Sequence, residues 1–383
     1  MTKVLIIGGG FAGCCAAHVL ENKNWQIDLI ESSNILGGGV LTHWYGGHPY
    51  TFGPRHFLTE KSEWFEFLNE FVPMRIIGND HENLTYVEPD KAFYSYPPHM
   101  DDIEKMDEKE QIMTELENFT PPTNEEEFNF EDIWKTSITP TLYKKFAEKY
   151  SKKMWMIDDN KELDGEEFRP VKVAHDGEVI GTCKVKIRKN SKAVWSDSRV
   201  ISAFPFANNG YNDYFDIAVK NANVHLNTKA EVFDIDKKRV KIKNDWKEYD
   251  ILINTASPEY LLNGIYGELR WMGRDFMKIV FPVESIFPKN VYFQYYANDE
   301  NFTRIVEYKK FYRYNSSQTL LGIEIPSKNN KLYPYPTKKD QQHAQKYFDD
   351  LPDSVFNMGR AGTYRYIDMD DIVGQGLELR KNI

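Results

Sequence analysis

Ten residues near the start of the chain, Val4 to Gly13 (VLIIGGGFAG), restrict its fold more than any other stretch. Val4 to Ile7 is an apolar, β-branched run with the length of a buried strand. Gly8, Gly10 and Gly13 then fall in the spacing G-x-G-x-x-G, and Cys14 to Leu20 reads as the start of a helix. Gly8 permits the tight turn from strand to helix. Gly10 lets backbone approach a diphosphate, and Gly13 lets the helix lie close on the strand. A diphosphate would then meet free N–H groups at the positive end of the helix dipole.

A second strand, Ile27 to Ile30, follows and ends in Glu31, 18 residues past Gly13. A carboxylate there can accept both hydroxyls of a ribose. The order strand, glycines, helix, strand, acid therefore predicts a dinucleotide-binding βαβ unit rather than an unrelated glycine-rich turn. Beyond Glu31 comes a second glycine cluster, Gly37-Gly38-Gly39. A second close backbone approach suits a cofactor longer than NAD and favours FAD; the competing reading is a flexible loop.

A chain of 383 residues has room for two domains or for one domain with large insertions. Its net charge of -10 argues against nucleic acid as the main partner. Three cysteines, Cys14, Cys15 and Cys183, have no metal-ligand spacing and imply no disulfide framework. Cys14 and Cys15 read as small packing residues of the first helix. No apolar run has the length of a membrane-spanning helix. The first strand begins almost at Met1, so no signal peptide is expected, and a soluble cytoplasmic protein is.

Glu63 to Val72 has the spacing of an amphipathic helix, and Ala92 to Met100 reads as a strand broken by two prolines. Leu142 to Trp155 closes a helical block. Tyr143, Phe146, Tyr150 and Met154 share one of its faces, and Tyr143 and Phe146 are expected in the core. Val171 to Arg188 reads as a hairpin turning at Asp176-Gly177. Ile251 to Asn254 is expected as a parallel strand beside the first. Lys278 to Gln294 and Gln318 to Ile325 read as strands of a second sheet, and Asp368 as a helix start. The expected fold is α/β: a Rossmann-type FAD-binding domain (1–60, 201–265 and 336–383) with inserted domains. These are a mainly helical insertion, 61–156, and a mixed-sheet substrate domain, 157–200 and 266–335.

Three separated clusters combine cations with aromatic rings. They are Tyr150 to Trp155; Arg188 with Trp195 and Arg199; and Thr303 to Lys309 with Tyr333 and Tyr335. Arginine's planar fork suits phosphate oxygens, and Tyr or Trp faces stack on rings. Together they would hold a diphosphate and a base. The competing reading of Arg304 is an ion pair with Glu307, three residues on.

Three motifs resemble the UDP-galactopyranose mutase family in order and spacing, and the likeness runs over nearly the whole chain. LYKKFAEKYSKKMW is similar to the family's LY-x(6)-Y-T-x-K-x-W, and FTRIVEYKKF to its YTRI-x-E-x-K-x-F. GRAGTYRYIDMD is similar to GRL-x-x-Y-x-Y-x-DM. The resemblance implies that Arg304 and Arg188 hold the substrate diphosphate, with Arg199 or Lys186 as alternatives to Arg188. It implies that Tyr150 stacks on uracil beside Ser151, that Trp155 lies near the sugar, and that Tyr335 and Tyr366 contact the substrate. On the cofactor side it implies Gly8, Gly10, Phe11, Ala12, Gly13, Glu31, Ser32, Gly38, Gly39, Phe233, Gly359, Arg360, Tyr366, Asp368 and Met369.

Departures accompany the match. Arg55-His56 stands where the family has a histidine beside the flavin, and Trp155 is followed by Met156 rather than glycine. Residues 157–200, which face the sugar in the family, barely match.

The implied activity is pyranose–furanose interconversion of a nucleotide-diphosphate sugar through a flavin N5–sugar adduct, for cell-surface polysaccharide synthesis. UDP-galactose, UDP-GalNAc or a deoxy or pentose relative such as dTDP-fucose would serve as substrate. FAD would act reduced, which calls for an NAD(P)H-dependent or other reductant; a homodimer is compatible. The alternatives are a net-redox flavoenzyme of the amine oxidase or desaturase type, and an inactive nucleotide-sugar-binding homologue.

Overall fold

The computed structural model describes residues 1–21, 24–118, 128–165, 191–193 and 200–383. The expected hairpin at Val171 to Arg188, and with it Cys183, Lys186, Arg188, Trp195 and Arg199, lies outside the described residues.

A parallel five-stranded sheet runs in the order Asn223–His225, Gln26–Ile30, Lys3–Ile7, Ile251–Asn254, Val355–Asn357. Ile251–Asn254 pairs with the first strand as the sequence implied. The chain leaves Lys3–Ile7 toward one neighbour and later returns on the other side. That order reversal opens a crevice at the carboxyl end of the first strand, where open α/β sheets bind ligands. Alternation along this strand places Val4 and Ile6 under the Phe11–Val19 helix, and Leu5 and Ile7 in a second cluster on the opposite face. Cys14 and Cys15 are fully buried. Burial pushes the Cys15 thiol up to about 12, so it packs as a neutral group. The Met369–Asn382 helix crosses the first helix at Gly376, where an added Cβ would come within 2.8 Å of Cys15 Sγ. Asp368 caps it, in a capping box with Asp371.

A seven-stranded sheet forms the second layer, in the order Tyr333–Pro334, Trp271–Phe281, Thr319–Ser327, Arg304–Glu307, Val291–Tyr296, Glu82–Val87, Ala92–Tyr96. The run read as one strand from Lys278 to Gln294 is two strands. Pro282 and Pro288 cannot donate to a ladder, so the chain turns between Phe281 and Val291. The first of these strands also starts earlier, at Trp271. The strands Glu82–Val87 and Ala92–Tyr96 come from the segment expected to be mainly helical. They extend the sheet through a parallel pairing with Val291–Tyr296.

Helices from 130–155 cover one face of this sheet. Tyr143, Phe146 and Trp155 share a core cluster with Met272, Tyr333 and Tyr335. Tyr143 and Phe146 are 2% and 3% exposed, the core positions expected of them. Between Pro140 and Trp155 the helical path widens into one π-turn at Lys144–Glu148, which re-aims the last helical turns carrying Tyr150 and Trp155. Met156 closes that helix at φ 50°, a left-handed position where glycine has no steric penalty. None of the helices among the described residues is long and apolar enough to cross a membrane.

Candidate active site

A cavity of about 560 Å³ joins the end of the first sheet to the covered face of the second. From the first sheet it is lined by Gly10, Phe11, Ala12 and Gly39, and from the C-terminal segment by Gly359, Arg360, Tyr366, Asp368 and Met369. The facing wall carries Tyr150, Ser151, Trp155, Arg274, Arg304, Glu324 and Tyr333, and Arg55 and His56 stand between the walls.

The glycine-rich end is built as a cradle. Gly8 has φ 97°, and a Cβ on Gly13 would lie 1.9 Å from the Gly8 carbonyl oxygen, so the helix docks against its own turn. A Cβ on Gly10 or Gly39 would meet nothing within 4 Å, because both face open space. Gly37 donates its N–H to Gly9 O at 2.8 Å, which brings the second glycine cluster onto the first. Glu31 accepts Gly9 N–H at 2.7 Å and Ser33 N–H at 2.6 Å, and Ser32 donates its hydroxyl to the same carboxylate. The carboxylate is thereby fixed beside the turn, with lone pairs left for ribose hydroxyls. An extended dinucleotide fits such a cradle: backbone donors at a helix start, two open glycine faces and an oriented acid. Gly359 abuts the other side, where its Cβ would lie 2.6 Å from Ala12 Cβ.

The facing wall owes its geometry to strand register. Arg304 sits opposite Tyr295 on one side and Glu324 on the other. Its Nε and Nη2 donate to the two oxygens of Glu324, each at 2.8 Å. The expected alternative pair with Glu307 does not form. Three residues on, Glu307 points to the opposite face and accepts the N–H groups of Ile286 and Phe287 and the Thr319 hydroxyl. Burial opposes the Arg304 charge, but Glu324 outweighs it and raises the guanidinium pKa well above its usual value. The guanidinium also meets the Tyr295 side chain, so the fork expected for a diphosphate is largely spent within the wall. Tyr150 packs edge-on to Tyr295, at 5.8 Å between centroids. Trp155 is 1% exposed and lies against Tyr333, Tyr335 and Tyr366.

Arg360 donates through Nε and Nη2 to Ile367 O and reaches Asp368 at 3.4 Å, which closes the C-terminal loop over the cradle. Arg55 donates through Nε to Gly39 O at 3.0 Å. His56 lies nearly parallel to Phe293 and Phe311, at 6.3 and 5.8 Å between centroids, and those two rings also face each other at 6.1 Å. Burial, then the charges of Arg304 and Arg55, lower its pKa to about 3. His56 is therefore neutral in the physiological range. Because it takes up its proton later in the fold than in the unfolded chain, it costs no stability above pH ~6.5 and subtracts stability as pH falls from there toward 3. NMR of the imidazoles is expected to show His56 unchanged between pH 5 and 8; a midpoint near 6.5 would contradict this.

Some expected residues lie off the cavity. Gly8, Gly13, Glu31, Ser32 and Gly38 shape the cradle from behind. Phe233 packs on Tyr260 in the core cluster on the far face of the first sheet. Tyr335 is 3% exposed behind Trp155, its ring under the Arg270 guanidinium. Tyr333, two residues earlier, is the tyrosine of that segment that faces the cavity. Two of the three cation–aromatic clusters meet here; the third, around Arg188, lies outside the described residues. Glu324 and Arg274 were missed. For Glu324 the signal was a lone charge inside an otherwise apolar strand, a residue type seldom buried without a partner.

Comparison with known proteins agrees with this fold. A family model described as UDP-galactopyranose mutase matches residues 145–366, and one described as an NAD(P)-binding Rossmann-like domain matches residues 6–71. The chain is 22% identical to a dTDP-fucopyranose mutase of Escherichia coli, over 99% of this chain and 97% of that protein. It is 22% identical to a probable UDP-galactopyranose mutase of Klebsiella pneumoniae, over 98% and 93%. A crystal structure of reduced UDP-galactopyranose mutase superposes with a TM-score of 0.76 at 17% identity, covering 100% of this chain and 95% of that one.

Proposed function

Because this chain belongs to the UDP-galactopyranose mutase family, we propose that it binds FAD and interconverts the pyranose and furanose forms of a nucleoside-diphosphate sugar. The observation that carries this reading is the single cavity that joins the open Gly10–Gly39 cradle to the Tyr150–Trp155–Arg304 wall. Its substrate is a UDP- or dTDP-sugar: UDP-galactose, UDP-GalNAc or a deoxy relative such as dTDP-fucose.

Gly10, Gly39, Glu31 and the start of the first helix would hold the dinucleotide, with Arg360 and Asp368 closing over it. When bound and reduced, the flavin would supply a nucleophile for the anomeric carbon. The chain's own residues supply position and charge. Tyr150 offers its ring for stacking on the base. Arg304 presents its charge to the departing diphosphate and holds it close enough to return. Trp155, Tyr333 and Tyr366 wall the sugar side and exclude water.

Incubating dithionite-reduced protein with a panel of UDP- and dTDP-sugars, followed by chromatography, tests the reading. A furanose product is expected with no reductant or oxygen consumed per turnover. Product formed only with stoichiometric consumption of an electron acceptor would replace it with a net-redox reaction.

A further inference from the structure

Strand register sets a second arginine opposite Arg304. On the Thr319–Ser327 strand, Glu324 and Pro326 are two residues apart and share a face. Arg304 pairs with Glu324 from one side, and Arg274 pairs with Pro326 from the other. Both arginines therefore point to the cavity face, and both line the cavity. Two strand spacings and a two-residue offset put their Cα atoms about 12 Å apart, a span two arginine side chains close around one diphosphate.

The two differ in charge balance. The Arg304–Glu324 pair is neutral as a unit. Arg274 is 2% exposed, and its guanidinium donates to its own neighbour's carbonyl, Gly273 O, at 2.6 Å. It lies 4.9 Å above the ring centroid of Tyr333 and has no carboxylate partner among the described residues. A guanidinium cannot shed its proton, so a buried one without a counter-ion is costly unless a ligand provides the anion. Around Tyr150 burial raises the phenol pKa, and the charges of Arg304 and Arg274 both act against it. Both cations thus act on Tyr150, the residue expected to meet the base.

We propose that Arg274 is the second cationic jaw of the substrate clamp, closing with Arg304 on the diphosphate of the nucleotide sugar. This rests on the mutase reading. It gives Arg274 the role beside Arg304 that the resemblance implied for Arg188.

FAD-loaded wild type, Arg274→Met and Arg304→Met proteins are titrated with UDP, dTDP and uridine, the first two by calorimetry and uridine by NMR line broadening. Arg274→Met is expected to weaken UDP or dTDP binding about 10- to 100-fold, through loss of charge-assisted hydrogen bonds, and to leave uridine binding and flavin content unchanged. The ligand-free melting temperature is expected to hold or rise, because an uncompensated buried charge has gone; a purely structural arginine would lower it. Arg274→Lys keeps a charge in the same place and is expected to retain part of the affinity, and it provides the comparison if the Met variant does not fold. Unchanged nucleotide affinity in both Arg274 variants, with Arg304→Met weakened, overturns the role of Arg274 and leaves the mutase reading standing. Loss of flavin from the Arg274 variants assigns the residue to the cofactor and overturns the proposal. Failure of the wild type to bind either nucleotide overturns both.

Discussion

Arg304→Ala is expected to lower kcat/KM about 30- to 1,000-fold, a transition-state loss of roughly 2–4 kcal/mol. It is also expected to destabilise the protein by roughly 3–5 kcal/mol, because Glu324 would be left as a buried carboxylate without its partner. The pair is bidentate and Glu324 is only 2% exposed, so the second effect cannot be ignored when activity is read. Arg304→Met combined with Glu324→Leu separates them. Removing both charges is expected to restore most of the melting temperature while turnover stays low. If turnover returned with stability, Arg304 would serve the sheet alone and the mutase reading would lose its best-placed residue.

Gly10→Val is expected to give a folded, colourless protein. The backbone at Gly10 is extended, with φ -72° and ψ -176°, so valine fits there without strain. A Cβ meets nothing within 4 Å, and the branched side chain would instead occupy the space of the cofactor's diphosphate. Flavin occupancy is expected to fall at least about tenfold, with far-ultraviolet circular dichroism unchanged. Gly13→Ala is the contrasting variant. Its Cβ would strike the Gly8 carbonyl, so it is expected to lose fold and flavin together. A yellow Gly10→Val protein would mean that the open glycine face is not where the dinucleotide lies.

The cradle was legible in the sequence because its constraints are local. The turn at Gly8, the close helix at Gly13 and the acid at Glu31 each follow from backbone needs within 31 residues. The parallel pairing of Ile251–Asn254 was legible too, since an apolar β-branched run belongs beside another in such a sheet. The substrate wall was not. Arg304 was found through its motif, but its partner Glu324 is 20 residues away and is set by a register that no spacing rule supplies. Arg274 was lost because the strand was taken to begin at Lys278, seven residues after its start at Trp271. Tyr333 reaches the cavity while Tyr335 packs behind Trp155, a difference in depth that spacing alone does not show.

The five-stranded sheet also carries a consequence for biosynthesis. Its first strand is made at residues 3–7 and its last at 355–357, and Gly359, Arg360 and Asp368, which close the cradle, come later still. Contacts this distant in sequence form late, after the entropy of a very long loop has been overcome. At ordinary rates of translation, about 5–20 residues per second, the first glycine turn would wait on the order of 20–70 seconds for its lid. Cofactor capture is then an event that follows synthesis of this whole stretch, and the early βαβ unit spends that time with an open apolar sheet edge. An arrest at residue 350 is expected to leave a ribosome-bound chain that takes up no flavin, while extension to residue 383 allows uptake.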